Sequence, residues 1–156
     1  MSGFFKSLRF DDGSPWTGRT KQNETRTLVV KEPATVEDRV DFYSIEGNYS
    51  LYAGRLQEAI GHFQELIRLR PELWHPHTAL GAAYLRLNRF NEAATEFERA
   101  FPQWLQYGDR RGQVIAIDLA RAYVALGSDA DAGRVMRAAG IPENEIPERL
   151  DRMKRK

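Results

Sequence analysis

The feature that most constrains this chain is an internal repeat with a period of 34 residues between positions 40 and 105. Shifted by that period, segment 55–63 falls on segment 89–97, and Gly47 falls on Gly81. Each segment holds an alanine followed four residues later by a phenylalanine, which places both side chains on one face of a helix. A helical pattern that recurs every thirty to forty residues predicts a stack of helix pairs.

Three copies of one pattern align on this period. The second copy is the most complete and holds, in register, His77, Leu80, Gly81, Tyr84, Ala93 and Phe97. The first copy keeps Tyr43, Gly47, Ala59, Phe63 and Pro71, but it has Glu46 and Ser50 where the pattern has leucine and tyrosine. The third copy aligns after a five-residue insertion as Leu119, Ala120, Tyr123, Ala132 and Met136.

These residues resemble the tetratricopeptide repeat (TPR), whose pattern is W-x2-L-G-x2-Y followed by A-x3-F and P. The resemblance implies an all-α fold, a right-handed superhelical array of antiparallel helix pairs (an α-solenoid). It places three repeats at about 40–73, 74–107 and 113–140, followed by a capping helix at 143–154.

Small residues recur where the helices of each pair must touch. A glycine inside a helix costs about 1 kcal/mol relative to alanine, so Gly47 and Gly81 are best explained by the close approach of a neighbouring helix. The residues that we assign to packing within the repeats are Gly47, Ala59, Phe63, Gly81, Tyr84, Ala93, Phe97, Ala120, Tyr123 and Ala132.

Capping and breaking residues set the expected helix ends. The predicted helices span about 38–53, 55–69, 72–87, 89–101, 113–126 and 129–139. Thr35 or Asp38 is expected to cap the first helix, and Ser128 the sixth. The expected turn residues are Gly54, Asn88, Gly127 and Gly140, which tolerate left-handed geometry or end helices.

The repeat spacing breaks at residues 102–112, and Pro102 is expected to stop the fourth helix. Two interpretations of this segment stay open. Either it is a longer connection whose Trp104 and Leu105 pack in the core, or it is an exposed aromatic contact patch.

Residues 1–36 are expected to form an extended or partly disordered arm, and residues 37–156 the helical domain. The arm is rich in glycine, proline, serine and threonine and sustains no helical period, which favours a flexible segment. It also carries Phe4, Phe5 and Trp16, and such apolar content favours an arm that docks on its own helices or on a partner. Leu28–Val30 is the stretch best suited to lie extended.

Composition and motifs argue against several classes of function. The formal net charge is +1, whereas a dedicated nucleic-acid surface shows a basic excess. The chain has no cysteine, no apolar run near the ~20 residues of a membrane span and no signal-peptide pattern, so we expect a cytoplasmic location. We found no catalytic motif, and His75 and His77 lack a third metal ligand. We therefore predict no enzymatic activity, no cofactor and no metal.

In TPR proteins the first helices of successive pairs line the concave face. The resemblance therefore implies partner-binding residues at Asn48, Tyr52, His75, Thr78, Arg86, Asp118 and Arg121. Some members of the family clamp a peptide's terminal carboxylate with lysine, asparagine and arginine. Only Asn48 matches that clamp here, because Ser44, Ala79, Val114 and Asp118 occupy its other positions.

We interpret the chain as a non-enzymatic protein–protein interaction module. It would be an adaptor or assembly subunit that binds a partner peptide or subunit through its concave face and its arm. The alternative is a small secretion-type or assembly chaperone that holds a segment of a client protein. A homo-oligomer that buries Trp74, Trp104 and the arm between copies also stays open.

Overall fold

The computed structural model describes residues 8–10, 28–30, 35–107 and 110–155. The chain divides into two compact units, Met1–Glu72 and Leu73–Lys156, which we call the N-terminal and C-terminal units. In these ranges the structure is a series of antiparallel helix pairs, with two three-residue strands in the arm. The predicted all-α class is therefore confirmed. The boundary between arm and helical domain stays a prediction, because most of residues 1–36 lies outside the described ranges.

The N-terminal unit consists of two helices, α1 (Val36–Tyr52) and α2 (Leu56–Leu69), and the strands β1 (Leu8–Phe10) and β2 (Leu28–Val30). The strands pair antiparallel, with Leu8 opposite Val30. Strand β2 lies beside α1, so the stretch expected to be extended is paired with another part of the arm.

Helix α1 begins with a reciprocal cap. The Thr35 hydroxyl accepts a hydrogen bond from the Asp38 amide at 3.1 Å, and the Asp38 carboxylate accepts one from the Thr35 amide at 2.9 Å. Both predicted capping residues thus take part, and together they satisfy two backbone donors that the first turn leaves free. Gly54, at a φ of 79°, lies in the turn to α2.

The two helices of this unit meet through Gly47 and Phe63. A Cβ atom on Gly47 would lie 2.7 Å from the Phe63 ring, a separation that real contacts do not allow. Both residues are buried, as are Ala59, Ile60 and Leu66 on the same face of α2. The glycine therefore lets the α1 backbone approach the aromatic ring of α2.

The C-terminal unit contains five α-helices. They are α3 (His75–Arg86), α4 (Phe90–Tyr107), α5 (Arg110–Ala125), α6 (Asp129–Ala138) and α7 (Ile146–Lys154), the last preceded by a 3-10 turn at Glu143–Glu145. Each of α3 to α6 packs against the next helix along the chain, and α7 lies against both α5 and α6.

The second helix pair repeats the contact of the first, and the third varies it. A Cβ atom on Gly81 would lie 2.7 Å from the Phe97 ring. In the third pair, Ala120 and Met136 take these two positions, and both are fully buried. A methionine side chain is unbranched and adapts its shape. It therefore suits the smaller space that remains when an alanine methyl group takes the place of the glycine hydrogen. All ten residues assigned to repeat packing are buried.

The predicted turn residues adopt the expected geometry. Asn88 has a φ of 57°, and Gly127 and Gly140 have φ values of 76° and 74°. Such left-handed conformations are open to glycine and tolerated by asparagine. Ser128 does occupy the cap position of α6, but its side chain makes no capping hydrogen bond, so that part of the prediction is wrong.

The prediction that Pro102 ends the fourth helix is also wrong. Helix α4 continues through Pro102 to Tyr107, although an internal proline removes one helical hydrogen bond. The next turn is anchored from outside the helix, because the Trp104 indole donates to the Thr78 hydroxyl at 2.8 Å. The Trp104 ring also packs edge-to-face on Trp74 at a centroid distance of 4.6 Å. Trp104 and Leu105 are half-buried, which favours the packed interpretation of this segment over an exposed patch.

Candidate functional site

The C-terminal unit contains an open cavity of about 680 Å³ between α3, α5 and α7. Helices α3 and α5 are the first helices of their pairs, and the volume falls in the range of small-ligand pockets. The cavity is lined by Leu85, Asn88, Phe90, Ile117, Arg121, Val124, Ala125, Arg149, Arg152, Met153 and Lys154.

Apart from Asn88 and Ala125, the lining falls into two sets. The apolar set consists of Leu85, Phe90, Ile117, Val124 and Met153. Each of its members is half-buried, in contrast to the fully buried side chains that join the helices. The cationic set consists of Arg121, Arg149, Arg152 and Lys154, and no lining residue is acidic. The cavity thus offers apolar surface beside four positive charges.

Each cation of the cationic set forms an ion pair with a carboxylate that does not line the cavity. Arg121 Nη1 lies 3.0 Å from Asp118 Oδ1, and Arg149 Nη2 lies 2.8 Å from Glu145 Oε2. The other two pairs are Arg152 with Glu148 at 2.6 Å and Lys154 with Asp129. Exposed pairs of this kind contribute only about 0.2–1 kcal/mol, and a guanidinium carries five N–H donors. The pairs therefore orient the cations and leave them able to bind a further anion.

Asp118 is the carboxylate that pairs with Arg121 of the cavity lining. Burial raises its pKa, and the neighbouring Arg121 opposes that rise. The carboxylate is half-buried and lies one helical turn before Arg121. Its principal contact is thus with its own helix.

Two of the predicted partner-binding residues, Asn48 and Tyr52, lie on α1 in the N-terminal unit. The Asn48 amide donates to the Ser44 carbonyl oxygen at 2.7 Å. Tyr52, near the end of α1, is 87% exposed, more than the other large hydrophobic side chains of the described residues. These two residues stay predicted binding residues.

The other five predicted residues lie in the C-terminal unit, and Arg121 is the one that lines the cavity. Its neighbour Asp118 pairs with it, while Arg86 is exposed at the end of α3, next in sequence to the lining residue Leu85. Thr78 is engaged internally by Trp104. His75 is exposed at the start of α3 and meets the Trp74 ring edge-to-face at 6.0 Å. The structure thus places the predicted residues in different environments, and their binding role stays a prediction.

His77 belongs to a half-buried polar contact between α3 and α4 that the sequence did not reveal. Its Nδ1 lies 2.6 Å from Glu96 Oε2, and the two side chains are 12% and 13% exposed. Glu96 also receives a hydrogen bond from Arg99 at 3.1 Å. The contact gives His77 a structural role in joining the two helices of its pair.

The contribution of α7 to the cavity is the functional feature that sequence reasoning missed. The acidic start and basic end of this helix suit the helix dipole, and the repeat pattern predicted only that it caps the array. In the structure Arg152 and Lys154 are exposed, and they line the cavity together with Arg149 and Met153. The basic run was visible in the sequence, but its position beside α5 depends on tertiary packing.

The sequence matches no protein-family model and no curated protein. Among solved structures, the chain is similar to one described as the TPR2B-domain:pHsp70-complex of yeast Sti1. The two share 21% sequence identity at a TM-score of 0.59, over 75% of this chain and 97% of the other. The likeness shows that this chain has a TPR fold, as its repeat pattern implied.

None of the helices in the described ranges has the length and apolar character that crossing a membrane requires. The same ranges hold no group of three or more metal-ligating side chains.

Proposed function

We propose that this chain is a non-enzymatic protein–protein interaction module, an adaptor or assembly subunit that binds a segment of another protein. The observation that carries the proposal is the open cavity beside the first helices α3 and α5. Its five apolar side chains are only half-buried, so a partner that covered them would remove apolar surface from water.

The chemistry of the lining supports binding rather than catalysis. The cavity is lined by no serine, cysteine, histidine or carboxylate, which are common nucleophiles and general bases of enzymes. Its one lysine, Lys154, is paired with Asp129. Arginine stays protonated at physiological pH and serves to bind and orient anions. A site of this composition suits recognition of a partner.

The TPR fold supports a protein as that partner, since the similar yeast domain was solved in a complex with pHsp70. We further propose that the N-terminal arm adds a second contact and that the protein works in the cytoplasm. Tyr52, at the exposed end of α1, is a candidate contact in the N-terminal unit.

Site-specific photo-cross-linking in native cells tests the proposal. A benzoylphenylalanine at Ala125, which is exposed and lines the cavity, should form an adduct with one partner protein. The matched control is the same residue at Ala138, which is exposed on α6 and does not line the cavity. Adducts at Ala138 but not at Ala125 would show that partners bind elsewhere, and the proposed site would be wrong.

Experiments in the same cells distinguish the adaptor hypothesis from the chaperone hypothesis. An adaptor should stay bound to the same partner when no cross-linker is used, and the two should elute together in size exclusion. A chaperone should release its client, and the client should become insoluble when the gene for this chain is deleted. Co-elution with a partner that stays soluble in the deletion strain supports the adaptor.

A further inference from the structure

We infer that the C-terminal helix α7 forms one wall of the binding site and selects an acidic segment that carries a bulky apolar residue. This inference rests on the proposed function and specifies the partner's chemistry. It gives α7 a role beyond capping the helix array.

The packing of α7 separates its two ends. Ile146, at the first turn, is 4% exposed, and a Cβ atom on Gly133 of α6 would lie 3.7 Å from its Cγ2 atom. This end is therefore fixed against α6. Met153, two turns later, is half-buried and lines the cavity. The first turn thus anchors the helix, and its second half borders the open space.

Three of the four cavity cations come from α7, namely Arg149, Arg152 and Lys154. The whole chain has a formal net charge of only +1, so this concentration does not follow from a basic composition. The carboxylates that pair with these cations lie outside the lining. A segment in the cavity therefore meets cations that are each already paired with one carboxylate. Carboxylates on that segment would form charge-assisted hydrogen bonds with the N–H donors that these pairs leave over.

The apolar set supplies the second requirement. Met153 of α7 and Ile117 and Val124 of α5 line the same cavity, together with Leu85 and Phe90. A segment with acidic residues alone would leave these side chains in water, whereas a leucine or phenylalanine between the acids would cover them. Acidic residues around a bulky apolar anchor thus match both sets.

A protein segment fits this cavity better than a nucleic acid does. Binding of single-stranded nucleic acid combines backbone contacts with bases stacked on aromatic rings. Phe90 is the one aromatic side chain of the lining, beside four aliphatic or thioether side chains. Such a surface suits a branched or aromatic amino-acid side chain.

A display selection with a random twelve-residue peptide library on phage tests the inference against the full-length chain. The expected result is enrichment of peptides with two or more acidic residues next to leucine, isoleucine, methionine or phenylalanine. Their dissociation constants are then measured by fluorescence anisotropy against two double variants of equal charge change. The cavity variant is Arg149→Glu with Arg152→Glu. The control is Arg134→Glu with Arg137→Glu, which are exposed, ion-paired residues of α6 outside the lining.

We expect the cavity variant to bind at least tenfold more weakly, because each reversed charge removes a charge-assisted contact and adds repulsion. The control should change binding less than twofold. Far-UV circular dichroism and thermal melting establish that both variants fold. A third variant, Met153→Ala, should weaken binding about fivefold without changing its salt dependence, since it removes apolar contact only.

Several results would overturn the inference. These are enrichment of basic or uncharged peptides, equal binding by the cavity and control variants, or no enrichment at all. Tighter binding of a 20-nucleotide polyuridine than of the selected peptides, lost in the cavity variant, would assign the site to nucleic acid. A partner that cross-links at Ala125 but binds the cavity variant normally would leave the proposed function standing and refute the role of α7.

Discussion

The first and second helix pairs follow one repeat pattern but differ in how completely they fill it. In both, a glycine of the first helix meets a phenylalanine of the second, and an added Cβ atom would approach the ring to 2.7 Å. In the second pair the remaining pattern positions hold Leu80 and Tyr84, which are 2% and 6% exposed. In the first pair these positions hold Glu46, which is half-buried, and Ser50, which is fully buried.

Two polar residues thus occupy apolar positions in the first pair, and each has a physical consequence. Burial raises the pKa of Glu46. The Ser50 hydroxyl has no hydrogen-bond partner among the residues that the structure describes. The first helix pair therefore keeps the glycine–phenylalanine contact of the second without the leucine and tyrosine of the pattern.

An arginine shows how the first pair adapts. Arg89 of the second copy stacks on Tyr84, with its guanidinium carbon 4.6 Å from the ring centroid. The equivalent Arg55 has no tyrosine at position 50 and stacks instead on Tyr49 at 5.1 Å. The cation–π contact is kept through a neighbouring ring.

The largest effect is expected from a substitution that disrupts the glycine–phenylalanine contact shared by the two pairs. Gly81→Leu should lower the free energy of unfolding by about 3 kcal/mol or more, because the new side chain overlaps the Phe97 ring. Urea denaturation followed by circular dichroism measures the change. The control is Gly61→Leu on α2, where a Cβ atom would meet nothing within 4 Å and where leucine favours the helix. A Gly81→Leu chain as stable as the wild type would contradict the repeat register.

The second prediction concerns a substitution that gives the second helix pair the residue found at the equivalent position of the first pair. Tyr84→Ser should lower the free energy of unfolding by about 3 kcal/mol, since it removes a large buried side chain and leaves a void. It also removes the ring on which Arg89 stacks. Denaturant midpoints of the variant and the wild type give the difference. A loss below about 1 kcal/mol would mean that the tyrosine position contributes little in either pair.

The third prediction improves the first pair at its weakest position. Ser50→Ala should raise the free energy of unfolding by up to about 1 kcal/mol, because it removes a buried hydroxyl that lacks a partner in the described structure. Ser44→Ala, on the same helix and only half-buried, should stay within about 0.5 kcal/mol of the wild type. Destabilisation by Ser50→Ala in urea titrations would show that the hydroxyl has a partner in the folded chain.

The smallest expected effect concerns the pH dependence of Glu46. A carboxyl group whose pKa is raised by folding binds more protons in the native state, so stability falls as pH rises from the ordinary glutamate pKa of 4.5 through the folded pKa. Glu46→Gln should therefore be more stable than the wild type at pH 7, by less than about 1 kcal/mol for a partly solvated group. The difference should shrink below pH 4.5. Urea titrations at pH 4, 5.5 and 7 measure it, and an advantage that grows on acidification would contradict the sign.

The helix pairs and their turns could be predicted because they depend on local signals. Alanine and phenylalanine at helical spacing, together with Asn88, Gly127 and Gly140 at the turns, specify these features within a few residues of chain. The continuation of α4 beyond Pro102 could not be predicted, since it depends on the contact between Trp104 and Thr78, which are 26 residues apart.

The candidate site was predictable only in part. Repeat periodicity pointed to the first helices and hence to Arg121, which lines the cavity. The position of α7 follows no period, because the helix lies beyond the last repeat and is placed by packing against α5 and α6. The sequence therefore predicted that Arg149 and Arg152 lie on a charged helix, but it did not predict that they line a cavity.

In the third pair, Ala120 and Met136 occupy the positions that hold glycine and phenylalanine in the other two pairs. This difference limits which single substitutions the third pair tolerates. Alanine opposite a phenylalanine overfills the contact, and glycine opposite a methionine leaves it loose, so neither replacement is neutral by itself. The two positions therefore depend on one another. Ala120→Gly or Met136→Phe alone should each be less stable than a chain that carries both changes.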